Sequence, residues 1–67
     1  MIEIVVNGEN RHVPEGQTLL EFLGCLNLDP ARVAIELNRK IIKTPLWADT
    51  VLCPGAKLEI VQFVGGG

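Results

Sequence analysis

Only one stretch of this chain carries the marks of a helix. Thr18-Leu19-Leu20-Glu21 is a capping box, in which the threonine hydroxyl accepts a bond from the amide of Glu21 and the glutamate side chain reaches back. The spacing predicts a helix from about Leu19 to Leu26, with Leu19, Leu20, Leu23 and Leu26 as an apolar stripe and Phe22 on its flank. Asn27 to Pro30 ends it, because the proline pushes Asp29 out of the α region. A chain of 67 residues is one small domain. Its single helix must bury that stripe against strands.

The strands are legible from alternation. Ile2-Glu3-Ile4-Val5-Val6 places Ile2, Ile4 and Val6 on one face and Glu3 and Val5 on the other. Asn7-Gly8 follows, the strongest short hairpin signal. A return strand from about Asn10 to Val13 carries Arg11 and His12, which suit an exposed edge, and Pro14-Glu15-Gly16 stops it. Val33-Ala34-Ile35-Glu36-Leu37 alternates again, Asn38-Arg39-Lys40 turns the chain, and Ile41-Ile42 gives a brief strand. Thr44-Pro45-Leu46-Trp47 reads as a cap with proline at the first position of a single helical turn. Val51-Leu52 is a short extended piece and Pro54-Gly55 a turn. Lys57 to Phe63 is the last strand, with Leu58 and Ile60 inward and Glu59, Val61 and Phe63 on the opposite side. The expected class is α+β, a mixed sheet of four to five strands packed on one helix, with the first and last strands side by side in the middle.

Composition limits what such a domain does. A domain of this size buries only about 60% of the surface its unfolded chain exposes, but 48% apolar residues allow it to fold without staples. The formal net charge is −2, so there is no basic footprint for nucleic acid. Phe22, Phe63 and Trp47 are too few rings for a base-stacking platform, and Trp47 reads as core cover. No apolar run approaches membrane-spanning length, and Met1-Ile2-Glu3-Ile4 shows neither a basic segment nor a cleavage site, so a cytoplasmic location is expected. Cys25 and Cys53 are then expected as reduced thiols, acting as small buried hydrophobes.

His12, the only histidine, sits on an exposed strand, and no nucleophile–base constellation can be assembled around it. One histidine and two cysteines fall short of a structural zinc set, and no phosphate-binding loop is present. Neither a resident cofactor nor a metal is expected. The domain reads as a non-enzyme.

The chemistry collects at the other end. An apolar strand runs through Phe63-Val64 straight into Gly65-Gly66-Gly67. Three glycines have much freedom to lose and nothing to pack, so the expected organisation is a body over residues 1–64 and a thin mobile tail over residues 65–67. The reactive group on that tail is the α-carboxylate of Gly67, an anion at neutral pH. It can attack the α-phosphate of a nucleotide, and the acyl adenylate so formed is open to a sulfur or nitrogen nucleophile. Gly66 and Gly67 offer no side chain to shield that carbonyl. From Val64 to Gly67 an extended chain spans at most about 13–14 Å, enough to thread a tunnel while the body stays outside.

Ordering the tail costs about 1–2 kcal/mol per residue, so docking must draw on another surface. The outward sheet face is the candidate: Val5, Ala34, Val61 and Phe63 should sit together there, rimmed by Glu3, Glu36 and Glu59, with Val64 and Gly65 carrying the contact into the tail. Each buried Val or Phe is worth about 1.5–3 kcal/mol, so two or three anchors offset the ordering. The acidic rim would steer towards a basic partner.

Taken together and in order, several motifs carry a resemblance that covers essentially the whole chain. These are the Asn7-Gly8 hairpin, Pro14-Glu15-Gly16-Gln17-Thr18 entering the helix, Val33-Ala34-Ile35-Glu36-Leu37-Asn38, Pro45-Leu46-Trp47 and the terminal Phe63-Val64-Gly65-Gly66-Gly67. With these the chain resembles the ubiquitin-like β-grasp sulfur carriers, most closely the ThiS family of thiamine biosynthesis. The resemblance implies a β-grasp fold and a carboxylate at Gly67 that an adenylyltransferase of the ubiquitin-activating type (ThiF-like) activates with ATP. It implies sulfur from a donor such as a cysteine desulfurase, a thiocarboxylate, and delivery to a thiazole synthase (ThiG-like). The family's two terminal glycines fall on Gly66 and Gly67, and Gly65 is extra. The alternatives are the small subunit of molybdopterin synthase, a modifier joined to lysines, and a plain β-grasp interaction module.

Overall fold

The computed structural model describes residues 1–63. The expected body boundary at residue 64 and the tail over residues 65–67 lie outside the described residues.

Five strands form one mixed sheet over one α-helix: β1 (Ile2–Val6), β2 (Glu9–Val13), β3 (Val33–Leu37), β4 (Lys40–Ile42) and β5 (Lys57–Gln62), with α1 (Leu19–Cys25) between β2 and β3. The order across the sheet is β2-β1-β5-β3-β4. The strands at the two ends of the sequence thus lie together in the centre, as expected. Among the described residues only the β1–β5 pair is parallel; β1–β2, β3–β4 and β3–β5 are antiparallel.

Two hairpins have two-residue loops with positive φ at both central positions: Asn7 (φ 49°) and Gly8 (φ 83°), then Asn38 (φ 50°) and Arg39 (φ 71°). These are the turns whose twist matches that of the flanking strands. Alternation then sets the faces. Ile2, Ile4 and Val6 of β1, Val33 and Ile35 of β3 and Leu58 of β5 are all buried beneath α1. In α1 the Thr18–Glu21 capping box is complete: the Glu21 amide donates to Thr18 Oγ1 at 3.2 Å and the Thr18 amide donates to Glu21 Oε1 at 2.9 Å.

The buried face of α1 differs from the expected one. Leu19, Phe22 and Leu23 are buried and Leu26 packs against them, whereas Leu20 is 40% exposed. Leu19, Phe22, Leu23 and Leu26 follow the i, i+3, i+4, i+7 spacing of one face, and Leu20 lies about 100° round from it. α1 also ends one residue early, with Leu26 as its C-cap.

Two 3₁₀ helices complete the connections. Asp29 caps Pro30–Arg32 by accepting from the Ala31 amide at 2.9 Å. Thr44–Asp49 starts at Thr44 itself, with Lys43 at the N-cap and no side-chain cap bond, so Thr44 is the first helical residue and not the cap. This segment brings Trp47 to 1% exposure, and its indole Nε1 donates to the Ile42 carbonyl at 2.8 Å, so the ring is core, as expected, with its polar atom paired.

Cys25 and Cys53 are exposed free thiols, not buried ones. Cys25 closes the solvent side of α1, and Leu52 takes the inward position (2% exposed) that leaves the next residue, Cys53, outside. Among the described residues no helix is long and apolar enough to cross a membrane.

Candidate functional site

The outward face of the sheet divides into two regions. Ala34 of β3 pairs with Val61 of β5, and Glu36 pairs with both Glu59 of β5 and Ile41 of β4. Together with Ile35 they line a shallow hollow of about 160 Å³. Val61 and Phe63 are each 56% exposed and Ile41 76% exposed. The Phe63 amide donates to the Arg32 carbonyl at 2.7 Å, which carries the β3–β5 ladder one step past the end of β5. Ala34 and Val61 therefore come together as expected, with Glu36 and Glu59 beside them, and Phe63 follows two residues after Val61, past the end of β5 and outside the hollow's lining.

Val5 and Glu3 do not join this cluster. The parallel register sets Val5 against Lys57, four residues before Val61, which at about 3.3 Å per residue is roughly 13 Å away. Glu3 lies further off, where its carbonyl accepts from the Gly55 amide at 2.8 Å, and its carboxylate stands 3.7 Å from His12 Nε2. Sequence shows that β1 and β5 share a face, but the stagger between parallel strands is set by the connection and is not written in either strand. Gly67, Gly66, Gly65 and Val64 lie outside the described residues.

Ile41 is the residue that sequence reading missed. Alternation gives the signal: Ile42 is half-buried against the core, so its neighbour on a three-residue strand has to face out. Glu36 and Glu59 are direct cross-strand neighbours, an arrangement that is destabilising in isolation. Neither forms an ion pair among the described residues. A cation brought against this pair would relieve the repulsion. The region thus offers an apolar floor, two carboxylates and the strand from which the tail continues.

The sequence model of the ThiS family matches residues 4–67, nearly the whole chain. The chain belongs to the ThiS family. A thiazole synthase of Paramagnetospirillum magneticum is 39% identical over 98% of this chain, but this chain spans only 20% of that protein's length, and it likewise covers about a fifth of a thiazole synthase from Magnetococcus marinus. The sulfur carrier protein ThiS of Escherichia coli is 27% identical over 98% of this ThiS-family chain and 100% of its own length. A crystal structure of the thiamine biosynthesis protein ThiS from Geobacter metallireducens superimposes with a TM-score of 0.84 at 28% identity, covering 98% of this chain and 100% of that one. The fold is accordingly the β-grasp.

Proposed function

We propose that this chain is the sulfur carrier for thiazole formation in thiamine biosynthesis, a protein co-substrate and not itself a catalyst. The observation that carries the reading is the family match, which runs through the terminal glycines to residue 67. Similarity to one fifth of two thiazole synthases supports the thiazole branch, because a carrier-like segment within such a chain is held at high effective concentration near its acceptor.

In this reading the Gly67 carboxylate attacks the α-phosphorus of ATP in an adenylyltransferase of the ubiquitin-activating type, and pyrophosphate leaves. Sulfur from a cysteine desulfurase or a related donor arrives as a protein persulfide, whose outer sulfur attacks the adenylate carbonyl as AMP departs; a thiol then attacks the acyl disulfide, releasing the thiocarboxylate and leaving a disulfide behind. The terminal oxygen is thereby replaced by sulfur. The thiocarboxylate then delivers sulfur to a thiazole synthase. ATP is consumed by the partner, and the carrier holds no cofactor of its own. All these partners work in the cytoplasm.

Docking falls to the hollow bounded by Ala34, Ile41 and Val61, to Phe63 at the tail's root and to the Glu36–Glu59 pair, which suit an apolar partner face bearing a basic side chain. Val64, Gly65 and Gly66 are assigned to the partner's channel and Gly67 to its reaction centre.

Converting the Gly67 α-carboxylate to a carboxamide tests the reading. The amidated chain should unfold at the wild-type temperature and give no pyrophosphate release with the activating enzyme. Continued adenylation would sink the assignment of the carboxylate, and sulfur arriving on a pterin from the intact chain would move the carrier to the molybdenum cofactor branch.

A further inference from the structure

β5 has two flanking strands over only part of its length. β1 runs beside it through Val5–Lys57 and Val6–Leu58, then turns away at Asn7, while β3 continues to Gln62. Where β1 leaves, the Asn7 side chain replaces it. Asn7 Oδ1 accepts from the Ile60 amide at 2.7 Å and Asn7 Nδ2 donates to the Ile60 carbonyl at 3.1 Å. The Asn7 backbone amide donates to the Leu58 carbonyl at 2.8 Å, so main chain and side chain form successive rungs. A carboxamide has one acceptor and one donor group, as a peptide group does, and only asparagine combines that pair with ready tolerance of φ 49°. Aspartate would keep the acceptor and lose the donor; glycine would keep the turn and lose both.

The bond lies three residues before Phe63, at the root of the segment that leads to Gly67. We propose that Asn7 is a positioning residue for tail activation, keeping β5 ordered up to the point where the tail departs, so that the activating enzyme has fewer residues to order. This rests on the carrier reading. β3 still holds the other side of β5 as far as Phe63, so losing the Asn7 bonds loosens at most about one residue's worth of backbone order before the tail, which lowers the competent fraction by roughly 5- to 30-fold. The face around Val61 and Ile41 docks as before, so the loss falls on turnover within the docked complex.

Asn38 supplies the comparison. At the opposite end of β5 its Oδ1 accepts from the Lys57 amide at 3.0 Å and its own amide donates to the Lys57 carbonyl at 2.8 Å, again from a turn with positive φ. Asn7→Gly and Asn38→Gly each remove side-chain bonds to β5 while keeping a residue suited to the turn, but only the first is close to the tail's root. With full-length carriers and the activating enzyme, Asn7→Gly should lower kcat for adenylation about five-fold or more with KM within two-fold. Its Ile60 amide should exchange at least ten-fold faster. Asn38→Gly should leave kcat unchanged. A wild-type kcat in Asn7→Gly, despite faster Ile60 exchange, would reduce Asn7 to a structural role and overturn the proposal. Equal losses of kcat in both variants would do the same, since general loosening then accounts for them. Should Asn7→Gly fail to fold, Asn7→Asp carries the same comparison through loss of the donor alone. If the wild-type chain is not adenylated at all, the carrier reading itself falls, and the role of Asn7 with it.

Discussion

Asn7, Asn27, Asn38 and Arg39 hold positive φ without being glycine. Asparagine visits this region readily because its short amide bonds locally, but arginine has no such compensation and pays with Cβ crowding of roughly 1–2 kcal/mol. Arg39 stands at φ 71° in the β3–β4 turn, on an exposed position. Arg39→Gly should therefore raise stability, by about 0.5–1 kcal/mol after the greater unfolded-state freedom of glycine is subtracted, and urea unfolding would show it as a higher midpoint. The Asn7-Gly8 turn was legible in sequence, since residue type alone signals it; the second turn was expected over Asn38-Arg39-Lys40, but Lys40 already opens β4 and Arg39 takes a positive φ that its type does not signal. The two bonds from Asn7 to Ile60 were not legible, because they join residues 53 positions apart and depend on where β1 stops.

α1 has seven residues, about two turns, too short to persist outside the fold. Its start is fixed by the capping box and by the isolated bridge between Thr18 and Val51, with the Leu19 amide donating to the Thr50 carbonyl at 2.9 Å. Thr18→Ala removes the hydroxyl that caps Glu21 and should cost about 1 kcal/mol, seen as a fall in Tm of about 4–8 °C. Strands β1, β3 and β5 could be read because their alternation is a local consequence of burying one face. The face of α1 was misjudged at Leu20 because four apolar residues among the first five leave the stripe's centre ambiguous until Leu26 is used to choose it. The cysteines were misplaced for a related reason: residue type favours burial, whereas Leu52 and the end of α1 decide which way Cys53 and Cys25 point.

At the scale of the whole molecule, the sheet presents one face to α1 and leaves the other bare; Ile41 and Val61 line a hollow on that bare face, and Phe63 is exposed just past the end of β5. On the carrier reading, Phe63→Ala should weaken binding to the proposed activating enzyme at least ten-fold, since a phenyl buried on docking is worth about 1.5–3 kcal/mol, with little change in Tm because the ring is 56% exposed in the free chain. Titration calorimetry would check it; an unaltered Kd would remove Phe63 from the interface. Much of this face could be seen in the alternation of β3 and β5, but its limits could not, because the offset that parts Val5 from Val61 arises only when the chain closes on itself.

The central place of β5 has a further consequence for how the protein is made. Its residues are synthesised after those of every other strand, yet β1 and β3 meet only through it. A ribosome that halts before Lys57 releases two separate hairpins, β1–β2 and β3–β4, with no shared sheet to hold Leu58's place. Synthesis must run to the threshold of the tail before there is a body to carry it, so products that terminate before Lys57 should be cleared as unfolded chains.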